Sequence, residues 1–231
     1  MPRQENIFTT ETFKFFRELS RNNNKPWMDE NRLRYKQHVV APFRQLLDAL
    51  MPAAQRLHPE FCFTGRTGEN FSRINRGIRF ANDKRPYYSH MYLYLSHLDA
   101  SQGSCGQLYV GISDESATAG FRIYRESRQS AMACFCVPRA MQNLAWLARQ
   151  RKKFARRYES YWYSTEKGKS TKHIGWPADA KEWKRAKGWV IRKRFAPAIA
   201  TRHSFLNHAA QIFRELFPLY SFACLPVRRA E

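Results

Sequence analysis

The stretch Leu108-Tyr109-Val110-Gly111-Ile112-Ser113-Asp114-Glu115-Ser116-Ala117-Thr118-Ala119-Gly120-Phe121-Arg122-Ile123-Tyr124 decides the fold class. Leu108, Val110 and Ile112 alternate with Tyr109 and Gly111, and Ala119, Phe121 and Ile123 alternate with Gly120, Arg122 and Tyr124. A period of two sends successive side chains to opposite faces, which is the strand pattern. Ser113 to Ser116 is a polar turn, so the two runs predict an antiparallel hairpin. Upstream, Met91, Leu93 and Leu95 alternate with Tyr92, Tyr94 and Ser96, which predicts another strand; residues 190–195 predict a further short one. A meander is expected.

Outward from these strands the period lengthens. Thr9 or Thr10 can cap a helix carrying Phe13, Phe16 and Leu19, and Asn22, Asn23 and Asn24 tolerate the left-handed conformation that ends one. Pro26 fits the first turn of the next helix. Tyr35, Val39, Phe43, Leu46, Leu50, Ala54 and Leu57 form a helical stripe, with a kink or split expected at Pro42. Pro138 opens a second helical region with Met141, Leu144, Ala145, Ala148, Ala155 and Tyr158 on one side. Ser204 caps a last helix bearing Phe205, Ala209, Ile212, Phe213 and Leu216. The expected layout is α+β, a mainly antiparallel sheet flanked by N-terminal and C-terminal helices. With no Gly/Ser linker and no internal repeat, residues 1–231 are expected to form a single domain, with a basic aromatic-rich segment at about 149–195.

The 231 residues carry 40 Lys plus Arg against 19 Asp plus Glu, a formal charge of +21. Such an excess points to nucleic acid or another polyanion as partner. With 43% hydrophobic residues, the chain also has the means to bury a core, unlike a disordered basic tail. No apolar stretch approaches the roughly 20 residues of a membrane-spanning helix, and the N-terminal residues do not read as a secretory leader, so no membrane role and a cytoplasmic location are expected. Cys62, Cys105, Cys134, Cys136 and Cys224 are odd in number, so disulfides are not expected. Cys134 and Cys136 stand one residue apart in an apolar run and read as buried thiols rather than a zinc pair.

Residues 73–90, Arg-Ile-Asn-Arg-Gly-Ile-Arg-Phe-Ala-Asn-Asp-Lys-Arg-Pro-Tyr-Tyr-Ser-His, concentrate charge and hydrogen-bonding groups. Arg73, Arg76 and Arg79 are three apart: on a helical turn they share a face, whereas in extended chain Arg76 points opposite to the other two. Together with Lys84, the Tyr87 hydroxyl and a protonatable His90 they offer donors suited to a phosphate or carboxylate. Asp83 and Pro86 fit a turn. The alternative is structural, with an Arg79 to Asp83 ion pair and the tyrosine and histidine buried in the sheet.

This segment resembles the signature of an uncharacterised family, domain of unknown function 2461. The resemblance rests on the arginines at 73, 76 and 79, followed by Phe80, Asp83, Lys84, Pro86, Tyr87 and His90. It extends to Asn23, Asn24 and Trp27 ahead of a kinked helix and to a Gly-led hairpin at residues 106–124, covering most of residues 8–125. Gly77 stands where an aspartate commonly follows the arginine, and Asn82 and Tyr88 each replace a lysine. The resemblance implies a fold; it brings no cofactor and no catalytic residue with it.

Residues 151–200 hold 15 Lys plus Arg against 4 Asp plus Glu, so about half the net charge lies there. Arg149, Arg151, Lys152, Lys153, Arg156 and Arg157 are followed at once by Tyr158, Tyr161, Trp162 and Tyr163. Cations neutralise phosphates and aromatic rings stack on unpaired bases, so this pattern points to RNA or DNA. The plainer alternative is a solvated helix face beside core aromatics. No phosphate-binding glycine loop, dinucleotide fingerprint, zinc-protease or serine-hydrolase motif occurs. Gly65 to Asn70 reads as a turn more than an anion cradle, and His203 and His208 have no facing ligand pair, so no metal or cofactor is expected. Two functions are carried forward: binding of a phosphate-bearing ligand such as RNA or DNA, and an enzyme acting on a small anion with His90 or Asp83 as acid or base.

Overall fold

The computed structural model describes residues 6–97, 106–124, 130 and 132–225, so Ser104 and Cys105 lie outside the described residues. The fold is α+β. Its strands are β1 (His90–Leu95), β2 (Gln107–Ser113), β3 (Ala117–Tyr124), β4 (Glu159–Glu166), β5 (Lys169–Ile174) and β6 (Gly188–Phe195), in the order β1-β2-β3-β6-β4-β5. By contacts the chain divides into two compact units, residues 1–95, 109–118 and 194–211, and residues 96–108, 119–193 and 212–231.

In the first unit, α1 (Thr10–Arg21) opens at Thr9, whose backbone N–H donates to Thr12 Oγ1 at 3.3 Å. Glu11 in its first turn and Arg21 in its last oppose the helix dipole favourably. Phe13, Phe16 and Leu19 are buried as their spacing requires, and Phe15 and Thr12 are buried with them. The helix does not end in a left-handed asparagine: Asn22 has φ −121°. Asn24 instead caps α2 (Lys25–Glu30), accepting the Trp27 N–H at 3.0 Å, with Pro26 in the first turn.

After α3 (Arg32–Tyr35) the helix widens into a π turn, Lys36–Val40, before α4 (Ala41–Leu57). There is no split at Pro42: Val40 and Ala41 keep right-handed helical backbone, and the helix passes directly from π to α. Pro42 occupies the first turn of α4, where its missing N–H costs nothing. Val39, Phe43, Leu46, Leu50 and Ala54 are buried. Phe8 packs edge-on against Phe43 at 5.2 Å and Phe205 at 6.0 Å, and Phe43 meets Phe71 at 6.4 Å. Each such ring, fully buried, contributes about 1.5–3 kcal/mol. Met91, Leu93 and Leu95 of β1 join this core.

The second unit is built around Trp189, fully buried and touching Phe121 at 5.5 Å, Trp176 at 4.7 Å and Trp183 at 5.1 Å. Trp183 comes from α7 (Ala180–Arg185). Leu216, Leu219 and Tyr220 of α9 (Phe205–Cys224), the helix after the short α8 (Pro197–Ala200), are buried, with Tyr220 on Phe121 at 6.2 Å. Gly120 is required here: a Cβ would lie 2.2 Å from the Ile191 carbonyl oxygen and 2.7 Å from Arg192 Cα.

Three expectations need correction. The helical region after Pro138 is two helices, α5 (Val137–Gln142) and α6 (Leu144–Phe154), and α6 buries Leu147 and Phe154 while Ala145 and Ala148 face water. Alanine spacing misled because a small side chain marks no preferred face. Cys134, in the π turn Met132–Cys136, is exposed; only Cys136 of the pair is buried. Much of the basic segment is strand: β4 and β5 form a hairpin pairing Trp162 with His173 and Ser164 with Thr171. Lys167 and Gly168 turn it, with φ 47° and 76°. Two successive positive φ values are what a tight hairpin turn needs to match strand twist.

Candidate functional site

Residues 74–76 and 86–88 run antiparallel and close the signature as a long loop. The Arg76 N–H donates to the Pro86 carbonyl and the Tyr88 N–H to the Ile74 carbonyl, both at 2.8 Å. Asn23, just beyond α1, holds the loop by both main-chain groups of Tyr87: its Nδ2 donates to the carbonyl at 2.9 Å and its Oδ1 accepts the N–H at 3.0 Å. The Asn23-Asn24 step thus serves two partners, the loop and the cap of α2.

Inside the loop, Asp83 is the organiser. Its carboxylate accepts from Arg76 at 2.6 Å, from the Arg85 guanidinium at 2.7 Å and from the Arg85 backbone N–H at 3.0 Å. These bonds, led by Arg85, hold its carboxyl far below the usual carboxylate range. The partner of Asp83 is therefore Arg76 with Arg85, not Arg79. Both residues stay partly open, with side chains 19% exposed at Arg76 and 37% at Asp83, so the pair braces a surface loop rather than a core.

What the brace leaves outside is cationic and aromatic. Arg73, Arg79 and Lys84 are exposed and have no acidic partner among the described residues. Arg79 lies over the Phe80 ring at 5.1 Å, and Lys84 donates to the Ile78 carbonyl at 3.2 Å. Tyr87 is buried, so its ring belongs to the packing under the loop. His90 lies between Tyr88 at 5.1 Å and Tyr92 at 5.0 Å. The turn at residues 65–70 is filled from within: buried Asn70 accepts the Gly65 N–H at 2.9 Å and donates to the carbonyls of Cys62 and Tyr94.

In the second unit the six cations are all exposed, Arg149, Arg151, Lys152 and Lys153 on α6 and Arg156 and Arg157 just after it. Arg157 is committed to Glu215 of α9, which also accepts the Tyr158 hydroxyl. Burial first, and this bond second, push the Tyr158 phenol above its ordinary value. Arg149, Arg151, Lys152 and Arg156 have no acidic partner among the described residues. The aromatic residues after them do not share that exposure. Trp162 is 2% exposed and stacked on His173 at 4.1 Å, and Tyr161 is 9% exposed. Lys172 at 4.1 Å and Arg192 at 5.2 Å already occupy the surroundings of the Tyr161 ring.

Two features escaped the sequence reading. Phe80 is 89% exposed and, with Tyr88 at 38%, is one of the two exposed large aromatic side chains among the described residues; an isolated phenylalanine reads as core until its neighbours are known. The β4–β5 hairpin did carry one signal, the turn pair Lys167-Gly168, but the runs on either side of it do not alternate.

No curated protein matches this chain. Residues 11–222 match the family model described as conserved hypothetical protein (DUF2461). With its clamped arginine loop and nearly its whole length inside that match, the chain belongs to this family.

Proposed function

We propose that the protein binds a phosphate-bearing polymer, RNA or DNA, through the exposed cations of the signature loop and of the α6 terminus. One observation carries this reading: Arg73, Arg79 and Lys84 in the loop, and Arg149, Arg151, Lys152 and Arg156 at α6, are exposed and have no acidic partner among the described residues. Unpaired surface cations retain their full attraction for phosphate, and each phosphate they neutralise releases counterions. The brace at Asp83 supports the same reading, because it neutralises Arg76 and Arg85 internally and fixes the loop that displays the others.

The alternative of an enzyme for a small anion finds less support. The Asp83 oxygens are occupied by two guanidiniums and a backbone N–H, and a carboxylate held that far below its ordinary value is a weak proton acceptor. Titration of the protein with mixed-sequence single-stranded RNA at several salt concentrations tests the proposal. Log affinity is expected to fall linearly with log salt, by roughly 0.7 per phosphate contact. Absence of binding at low salt, or affinity indifferent to salt, rejects it.

A further inference from the structure

We infer that the signature loop is a base-stacking site for single-stranded nucleic acid, with Phe80 and Tyr88 as its platforms; this rests on the polyanion reading above and names which surface touches bases. Sequence adjacency favours the basic segment for that role, yet none of its rings is exposed: Tyr158 is 6%, Tyr161 9% and Trp162 2% exposed, and Tyr163 is half-buried. The two exposed rings of the described structure both lie within residues 73–90. Each has an arginine on it, Arg79 at 5.1 Å from the Phe80 centroid and Arg76 at 5.4 Å from that of Tyr88. At Phe80 the guanidinium of Arg79, which has no acidic partner among the described residues, leaves most of the ring open and places positive charge where the adjoining phosphate would run; Arg76, paired with Asp83, covers Tyr88 without adding such charge.

The loop backbone that carries these rings is braced. Asp83 ties Arg76 and Arg85 together, two backbone bonds close the stem, and Asn23 secures Tyr87 beside Tyr88. A braced backbone loses little further freedom when a base stacks on a ring that it carries. Tyr88 continues inward through His90 at 5.1 Å, giving a second platform that is supported from below. A lipid surface also recognises basic loops with an exposed phenylalanine, but it fits less well. Inserting Phe80 into hydrocarbon would carry the guanidinium of Arg79 along with it, whereas a stacked base leaves that charge in water beside a phosphate.

Fluorescence anisotropy with three probes of equal phosphate number tests this: a labelled single-stranded oligonucleotide, an abasic strand and polyphosphate. Wild type is expected to bind the base-bearing strand at least about fivefold tighter than the other two, the smaller end of one stacked base. Phe80→Leu, a change at a side chain in contact with water, is expected to remove most of that preference while leaving polyphosphate affinity unchanged. Phe80→Leu with Tyr88→Leu should remove the rest. If wild type binds all three probes equally, or Phe80→Leu keeps the preference, stacking at the loop is wrong and the polyanion reading stands. If wild type binds none of them at low salt, the polyanion reading itself falls. A Phe80→Leu effect on binding to phosphatidylserine vesicles, with none on the oligonucleotide, assigns the loop to a membrane surface and overturns the inference.

Discussion

The signature loop and the basic segment contain the same ingredients, arginine, lysine and aromatic rings, and the structure arranges them in opposite ways. In the segment after Arg149 the cations reach water while Tyr158, Tyr161 and Trp162 become core and Tyr163 is half-buried. In the loop an acid consumes two of the arginines as bracing, and two rings remain outside with the rest. Adjacency of charge and aromatic residues therefore says nothing about stacking until burial is known. In β4 strand alternation, not ligand chemistry, places Trp162 and Ser164 against the interior, whereas residues 77–85, lacking any strand, have no inner face toward which Phe80 could turn.

The sharpest way to break this contrast is Trp162→Ala. As a buried ring stacked on His173, Trp162 is expected to cost about 3–5 kcal/mol of stability when removed, read as a lowered denaturation midpoint. Unchanged stability together with lost RNA affinity would show instead that Trp162 is a contact residue. Next in size is Asn23→Ala, which removes both bonds to Tyr87. At roughly 0.5–1.5 kcal/mol per bond it should lower stability by about 1–3 kcal/mol, and hydrogen exchange should show faster opening of residues 74–88.

Charge reversal of Arg151, Lys152 and Arg156 to Glu touches only exposed positions, so stability should change by less than about 0.5 kcal/mol for each. RNA affinity is expected to weaken alike for all sequences with a shallower salt slope, because phosphate contacts carry no base information. An unaltered slope would reduce the α6 cluster to a solvated face. Smallest in global stability is Asp83→Asn, since its carboxylate lies at the surface. Its effect is local and follows pH. The folded carboxyl titrates below its ordinary value, so the brace is complete above the usual carboxylate range and lost as pH falls through the depressed value. At neutral pH the variant should be nicked by protease within residues 77–85 at a rate that wild type reaches only in acid.

The strands of β1, β2 and β3 were readable because each alternates over at least five residues with apolar side chains on one face. β4 and β5 were not, since Tyr161, Trp162 and Tyr163 are all large and the edge strand is polar up to its last residue, Ile174. Their alternation is defined by packing that only the folded sheet supplies. The loop was legible as a cluster but not as a geometry. Arg76, seven residues from Asp83, and Arg79, four residues from it, are equally plausible partners in sequence, and the antiparallel closure of 74–76 on 86–88 brings Arg76 to the carboxylate.

Among the described residues β5 is the last strand of the sheet, and it presents an open row of backbone donors and acceptors. Ile174 at its end is 82% exposed, which by itself would invite another strand to add on and a filament to grow. Lys169 and Lys172 are exposed on the same strand, so a second copy approaching edge to edge would bring like charges together. Like charges on an edge strand oppose strand addition, so the lysines of this hairpin are expected to work against self-assembly, independently of any ligand. Neutralising them should leave RNA binding nearly intact while making concentrated protein turn turbid sooner than wild type.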